Sequence, residues 1–128
     1  MKRLVVDLDD TISFNTEGDY STASCNASML MQLRIYKELG FDVVINTSRN
    51  MRTFDSNVGK INAITLPIII EWLRKHEVPY DEIYTGKPWC GYEGFYVDDK
   101  AVRPAEFVSM TYEQIQAVLA RDTLEAGS

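Results

Sequence analysis

The sequence predicts an α/β fold: an open, mostly parallel central sheet in a three-layer arrangement with helices on both faces. Three observations carry that prediction. Leu4–Val6 is an unbroken apolar run, and Phe41–Ile45 is apolar apart from Asp42, as in strands covered on both sides. Segments with helical spacing separate the strands, in the order strand, helix, strand, helix, strand, strand, helix. Acids, hydroxyls and a lysine follow the strands, at the carboxyl ends where open α/β sheets place their ligands.

Residues 2–7 form the first expected strand. Residues 10–25 are polar and read as a loop that can form only a flap. Met29, Leu30, Leu33 and Tyr36 predict a helix from Asn26 to Leu39, stopped by Gly40. Phe41 to Ile45 is the second strand and ends at Asn46-Thr47. After a polar stretch from Asn50 to Asn57, Ile61 to Lys75 reads as a helix with Pro67 in an early turn. Tyr80–Tyr84 and Gly94–Val97 are short strands, the second closing on Asp98-Asp99. Thr111 and Gln114 match a capping box that opens the last helix, through Ile115, Val118 and Leu119.

The chain has 128 residues, 45% apolar and 25% charged, which suits one soluble domain, placed at 1–122 with a frayed tail at 123–128. Thirteen Lys and Arg stand against 19 Asp and Glu, a net charge of −6. Such a surface repels phosphate backbones and argues against nucleic acid as partner. The apolar stretch after Met1-Lys2-Arg3 is too short for a secretory core, and no run approaches a membrane span, so a cytoplasmic location is expected. Cys25 and Cys90 lie far apart with no metal-ligand spacing and are expected as free thiols.

Four polar groups carry the chemistry. Asp7 and Asp9, in Asp7-Leu8-Asp9-Asp10-Thr11, sit where a strand gives way to a loop; two close carboxylates repel and favour a bound divalent cation. The plainer alternative is that short acids end the strand and cap a turn. Thr47-Ser48-Arg49-Asn50 offers a hydroxyl and backbone amides to phosphate oxygens. Lys87, in Gly86-Lys87-Pro88, is either a held positive charge or a solvated surface lysine. Asp98-Asp99, after Phe95-Tyr96-Val97, suggests a metal site, because paired acids rarely serve packing.

These groups, in this order, resemble the motifs of the haloacid dehalogenase-like phosphohydrolases, although Asp10 stands where glycine is more usual. Arg49-Asn50-Met51-Arg52-Thr53, Asn57-Val58-Gly59-Lys60-Ile61-Asn62 and Gly86-Lys87-Pro88-Trp89-Cys90-Gly91 resemble the small capsule or polysaccharide biosynthesis phosphatases. The resemblance covers about residues 2–115. It implies a capless catalytic domain that hydrolyses a phosphomonoester through an aspartyl-phosphate on Asp7. Asp9 would be the general acid and base, Thr47 a holder of phosphoryl oxygens, and Lys87 a counter-charge that orients Asp7. Magnesium would be held by Asp7, the carbonyl of Asp9, and Asp98, with Asp99 as a further acid. Ser48, Arg49, Arg52 and Lys60 are candidates for gripping the rest of the substrate. That substrate is a small phosphorylated metabolite, expected to be a capsule-sugar phosphate, with a nucleotide or another phosphomonoester as alternative. The missing cap leaves an open cleft unless a second subunit of a homo-oligomer covers it. Asp10 either tightens the cation requirement or points outward.

Two readings from other classes compete. A phosphorelay receiver shares the length, the early acids and Lys87-Pro88. However, its phosphoacceptor ends a buried strand, whereas Asp55 lies in a polar stretch, and the strand at Gly94–Val97 comes too late. A catalytically silent phosphate-binding module would have no need of Asp7, Asp9, Thr47, Lys87 and Asp98 together.

Overall fold

β1 (Arg3–Val6), β4 (Asp42–Asn46) and β5 (Glu82–Tyr84) form a parallel three-stranded sheet in the order β1-β4-β5. The register sets Val5 beside Val44 and Ile45 beside Ile83. Residues 1–14 and 20–127 are described in the computed structural model, with side chains up to Arg121. The flap residues Asn15, Thr16, Gly18 and Asp19, and the side chains of the expected tail, lie outside them. The chain divides into two compact units, Met1–Trp89 and Cys90–Ser128.

Around the sheet, the segment expected as a loop carries a small antiparallel pair, β2 (Ser13–Phe14) with β3 (Ser24–Cys25), and a short 3-10 turn at Tyr20–Thr22. α1 (Ala27–Glu38) starts where predicted, because the Asn26 side chain accepts the Met29 amide at 3.2 Å. It ends at Gly40, whose φ of +93° only glycine adopts freely. The second helix begins earlier than expected. α2 (Val58–Lys60) is capped by Asn57, widens into a π turn at Ile61–Thr65, and continues as α3 (Leu66–Lys75). Pro67 is the cause of the widening: it has no N–H, and its ring crowds the turn before it. Met29, Leu33, Val43, Ile45, Ile69 and Leu73 are buried together with Leu8 and Ile12 as the core. Trp72 is buried too, its indole N–H donating to the Ala23 carbonyl at 2.8 Å, and His76 stacks against its ring.

Asp81 ties the sheet to α1. Its carboxylate accepts from the Val43 amide at 2.8 Å and from Lys37 Nζ at 2.8 Å. The Lys37 hydrogen bond first, and the Val43 amide second, hold its pKa below the ordinary carboxylate value of 3.8. A depressed folded-state pKa gives stability that is present above the unfolded value and is lost as the pH falls through the folded one. Asp81→Ala is expected to cost about 1 kcal/mol at neutral pH, a half-exposed hydrogen-bonded pair's worth. In urea titrations across pH, that gap should close in acid.

In the second unit, α4 (Pro104–Ser109) and α5 (Tyr112–Gly127) follow a stretch without regular structure. α5 opens with the predicted capping box, Gln114 N–H to Thr111 Oγ1 at 3.2 Å and Thr111 N–H to Gln114 Oε1 at 2.9 Å. α4 went unpredicted; Pro104 starts it, and Glu106 accepts the Arg103 amide at 2.8 Å. Phe107 and Ile115 are buried. The strand expected at Gly94–Val97 does not form. A strand needs a ladder, and among the described residues of this unit there is no other strand. Cys25 and Cys90 are free thiols. Among the described residues, no helix is long and apolar enough to cross a membrane.

Candidate active site

The chain leaves β1 at Asp7 and turns sharply. The Leu8 carbonyl accepts the amides of Ile12 at 2.9 Å and Ser13 at 3.0 Å, with Leu8 and Ile12 wholly buried as anchors. Asp10 takes φ +61° in this turn and its side chain is exposed. That settles why glycine suits the position: the backbone is left-handed there, a conformation aspartate tolerates better than most residues.

Inside the turn, Asp7 accepts from Thr11 Oγ1 at 3.2 Å and faces Lys87 Nζ at 3.5 Å. Burial pushes the Asp7 pKa above its ordinary value; the Lys87 charge and the Thr11 hydroxyl pull it down without cancelling that rise. Thr47, just past β4, donates its amide to the Tyr84 carbonyl at 2.9 Å and accepts the Lys87 amide at 3.1 Å. The Thr47 backbone therefore holds the start of the lysine turn. Gly86 precedes Lys87 at φ +82°, and a Cβ there would meet Val58 Cγ2 at 2.9 Å. Gly86→Ala is expected to cost about 1–3 kcal/mol and to displace Lys87, seen as a lower melting temperature with a weakened Asp7–Lys87 pair.

Asp9 has a partner that sequence reasoning missed. Arg49 Nε and Nη2 donate to its two carboxylate oxygens at 3.1 and 2.7 Å. The guanidinium lies over the Tyr20 ring, 4.0 Å from its centroid, and its Nη1 is buried with no hydrogen-bond partner in the described structure. The Arg49 side chain is 1% exposed and that of Asp9 24%. Arg49, expected to grip substrate, is paired with Asp9 in this structure. Its amide donates to Thr47 Oγ1 at 3.0 Å, so Asp7, Lys87, Thr47, Arg49 and Asp9 form one linked cluster. No local signal marks the Asp9–Arg49 pair, whose members are 40 positions apart.

The other expected substrate residues surround this cluster less closely. Ser48 is half-buried and its carbonyl accepts the Met51 amide. Arg52 is exposed and lines, with Met51, Asp55, Ser56, Pro88 and Trp89, a groove of about 490 Å³. Lys60 is exposed, its amide bound to the Asn57 side chain at the start of α2. Asp55, the receiver-like candidate, sits in an exposed turn at φ +50°. Asp98 and Asp99 belong to the second unit, where Asp98 Oδ1 accepts the Lys100 amide at 2.9 Å in an exposed turn. Among the described residues, no three or more Asp, Glu, His or Cys gather closely enough to hold a metal ion.

Fold and cluster together define an α/β protein with a charged site at the carboxyl ends of a parallel sheet. A crystal structure of a target protein from Vibrio cholerae is similar over 95% of this chain and 99% of its own, with 56% identity and a TM-score of 0.94. The chain belongs to the same family as that protein. A structure of the Pnkp1/Rnl/Hen1 complex contains a chain with a related fold, at 19% identity and a TM-score of 0.51; the match spans 85% of this chain and 34% of that one. No family model and no curated protein matches the chain.

Proposed function

We propose that this protein is a haloacid dehalogenase-like phosphohydrolase, a magnesium-dependent phosphomonoesterase that works through an aspartyl-phosphate on Asp7. The observation that carries the reading is the half-buried Asp7 carboxylate beside Lys87, with Thr47 bound to the backbone of that lysine. A nucleophile needs a held carboxylate, and a phosphoryl group arriving on it needs fixed positive charge. In this reading, an Asp7 oxygen forms the new bond to phosphorus as the ester oxygen leaves with the bonding pair. Lys87 balances the phosphoryl charge. Asp9 gives a proton to the leaving oxygen and later takes one from the attacking water. Both Asp9 oxygens accept from Arg49, so proton transfer at either displaces one of those bonds.

Magnesium, held by Asp7, the Asp9 carbonyl and Asp98, would neutralise charge on the phosphate. The donor chemistry suits a hard cation, being all oxygen, but among the described residues no three acids are gathered into a set. The reading favours a small phosphorylated metabolite, a capsule-sugar phosphate first and a nucleotide second. Placement of Asp55 in an exposed turn favours an enzyme over a receiver. The argument from a late strand at Gly94–Val97 falls away, since that strand is absent from the described structure. The test is hydrolysis of a phosphomonoester panel with magnesium and with chelator. Chelator-sensitive turnover is expected; no turnover across sugar phosphates and nucleotides would favour the silent binding module.

A further inference from the structure

The 3-10 turn at Tyr20–Thr22 is tied into the core at one end and meets the acid pair at the other. The Tyr20 carbonyl accepts the Ala23 amide at 3.4 Å. Ala23 is buried, and its own carbonyl is the acceptor for the buried indole of Trp72. α3 therefore fixes the turn, and the turn fixes where the Tyr20 ring stands. That ring lies on the Arg49 guanidinium, 4.0 Å from its centroid, a close contact for a cation over an aromatic face. All of these residues belong to the unit Met1–Trp89.

Arg49 needs that contact because its edges are unequally held. Nε and Nη2 donate to the two Asp9 oxygens, whereas Nη1 is buried and has no hydrogen-bond partner among the described residues. A buried donor without an acceptor favours any movement that reaches water. Two parallel bonds on one edge still allow the guanidinium to tilt about that edge. A ring on its face resists the tilt and keeps water from Nη1. Burial first, and the Asp9 carboxylate second, push the Tyr20 phenol above its ordinary value against the pull of Arg49. The ring is therefore neutral, and its electron-rich face is offered to the cation.

We propose that Tyr20 is a positioning residue: its ring clamps Arg49 onto Asp9 and so fixes the carboxylate that exchanges a proton with the leaving oxygen. Only the last clause of that assignment rests on the phosphatase reading; the clamp itself does not. Asp9 must meet the leaving oxygen at hydrogen-bond distance, and misplacement by about 1 Å can cost about 100-fold in rate. The cost depends on the leaving group. An alkoxide departs only with a proton, whereas a nitrophenolate needs little help. Loss of the clamp should therefore slow alkyl esters and spare activated aryl ones.

The test pairs a side-chain measurement with kinetics on the full-length protein. By nitrogen-15 NMR, the Arg49 Nε–H should exchange slowly with water in wild type and in Tyr20→Phe. In Tyr20→Leu, exchange should be at least about tenfold faster, with urea unfolding still cooperative. Tyr20→Met, which fills the space without a ring, should behave as Tyr20→Leu does. Unchanged exchange in both ringless variants overturns the proposal. The kinetic probes, with magnesium, are glycerol phosphate, an alkyl ester, and para-nitrophenyl phosphate, an aryl ester. Tyr20→Leu should lower kcat/KM about 10- to 100-fold for the alkyl ester and by about twofold or less for the aryl one. Tyr20→Phe should restore that loss. In an Arg49→Met background, Tyr20→Leu should change neither value by more than about twofold. Equal losses on both esters, or no rescue by phenylalanine, overturn the proposal. So does a loss that persists without Arg49, because Tyr20 would then act on the substrate directly. Accelerated exchange in Tyr20→Leu with no turnover of either ester by wild type sinks the phosphatase reading alone. Turnover by wild type with unchanged exchange in the ringless variants sinks the clamp alone.

Discussion

Asp7→Asn is expected to lower phosphomonoester hydrolysis by at least about 1000-fold while raising the melting temperature of the metal-free protein at neutral pH. The two effects share one cause. Burial holds the Asp7 pKa above its unfolded value, so the ionised carboxylate is unfavourable in the folded state despite Lys87 and Thr11. A raised folded-state pKa means stability that is fully present below the unfolded value and is lost as the pH rises through the folded one. Asparagine keeps the shape and removes that cost. The gain should shrink as the pH falls through the raised folded-state pKa and be gone below the ordinary carboxylate value of 3.8, where Asp7 is protonated in both states. Melting curves from acid to neutral pH, run with chelator, read this directly. A neutral-pH melting temperature lowered by Asp7→Asn would mean that the Lys87 pair, not desolvation, dominates at Asp7. Retained hydrolysis in the same variant would remove Asp7 as nucleophile. Active sites held in such unfavourable states are a common trade of stability for function.

The largest loss of stability is expected from Asp9→Ala, about 3–5 kcal/mol. The reason is an asymmetry in burial: the Arg49 side chain is 1% exposed, whereas that of Asp9 is 24% exposed. Removing Asp9 strands a buried guanidinium whose Nη1 already has no hydrogen-bond partner among the described residues. Removing the arginine, as in Arg49→Met, leaves a carboxylate that water can reach, and about 1–2 kcal/mol is expected. The double variant should therefore be more stable than Asp9→Ala alone. Urea unfolding of the four proteins closes the cycle, and equal losses from the two single variants would contradict the burial argument. On the proposed phosphatase reading, in which Asp9 is the acid and base, hydrolysis by Asp9→Ala should fall about 100- to 10,000-fold. Arg49→Met separates positioning from proton transfer: it should disturb the pH profile of hydrolysis more than its maximal rate.

Much of the fold was legible because the signals for it are local. Asn26, Gly40 and the Thr111–Gln114 box mark helix ends through bonds that span only a few residues. The apolar residues Leu4–Val6 and Val43–Ile45 marked β1 and β4. That Asp7, Thr47 and Lys87 share one edge of the sheet was legible because each follows a strand, and the sheet order brings those ends together. Misplaced elements have equally specific causes. The start of α2 was missed because Asn57 lies in a stretch that reads as polar loop, and the π turn because Pro67 acts on the turn before it.

What the sequence by itself determined is the α/β class, the parallel sheet, the helix caps and the residues at the strand ends. All of these follow from periodicity and from hydrogen bonds made within a turn or two. The tertiary structure alone decided that Arg49 closes on Asp9 and Lys87 on Asp7, across 40 and 80 positions. It alone decided that Asp10 occupies a left-handed backbone, and that Gly94–Val97 forms no strand, the described residues of its unit holding no other. Pairing of this kind depends on which surfaces meet after folding, and a strand exists only where a second backbone satisfies its amides and carbonyls.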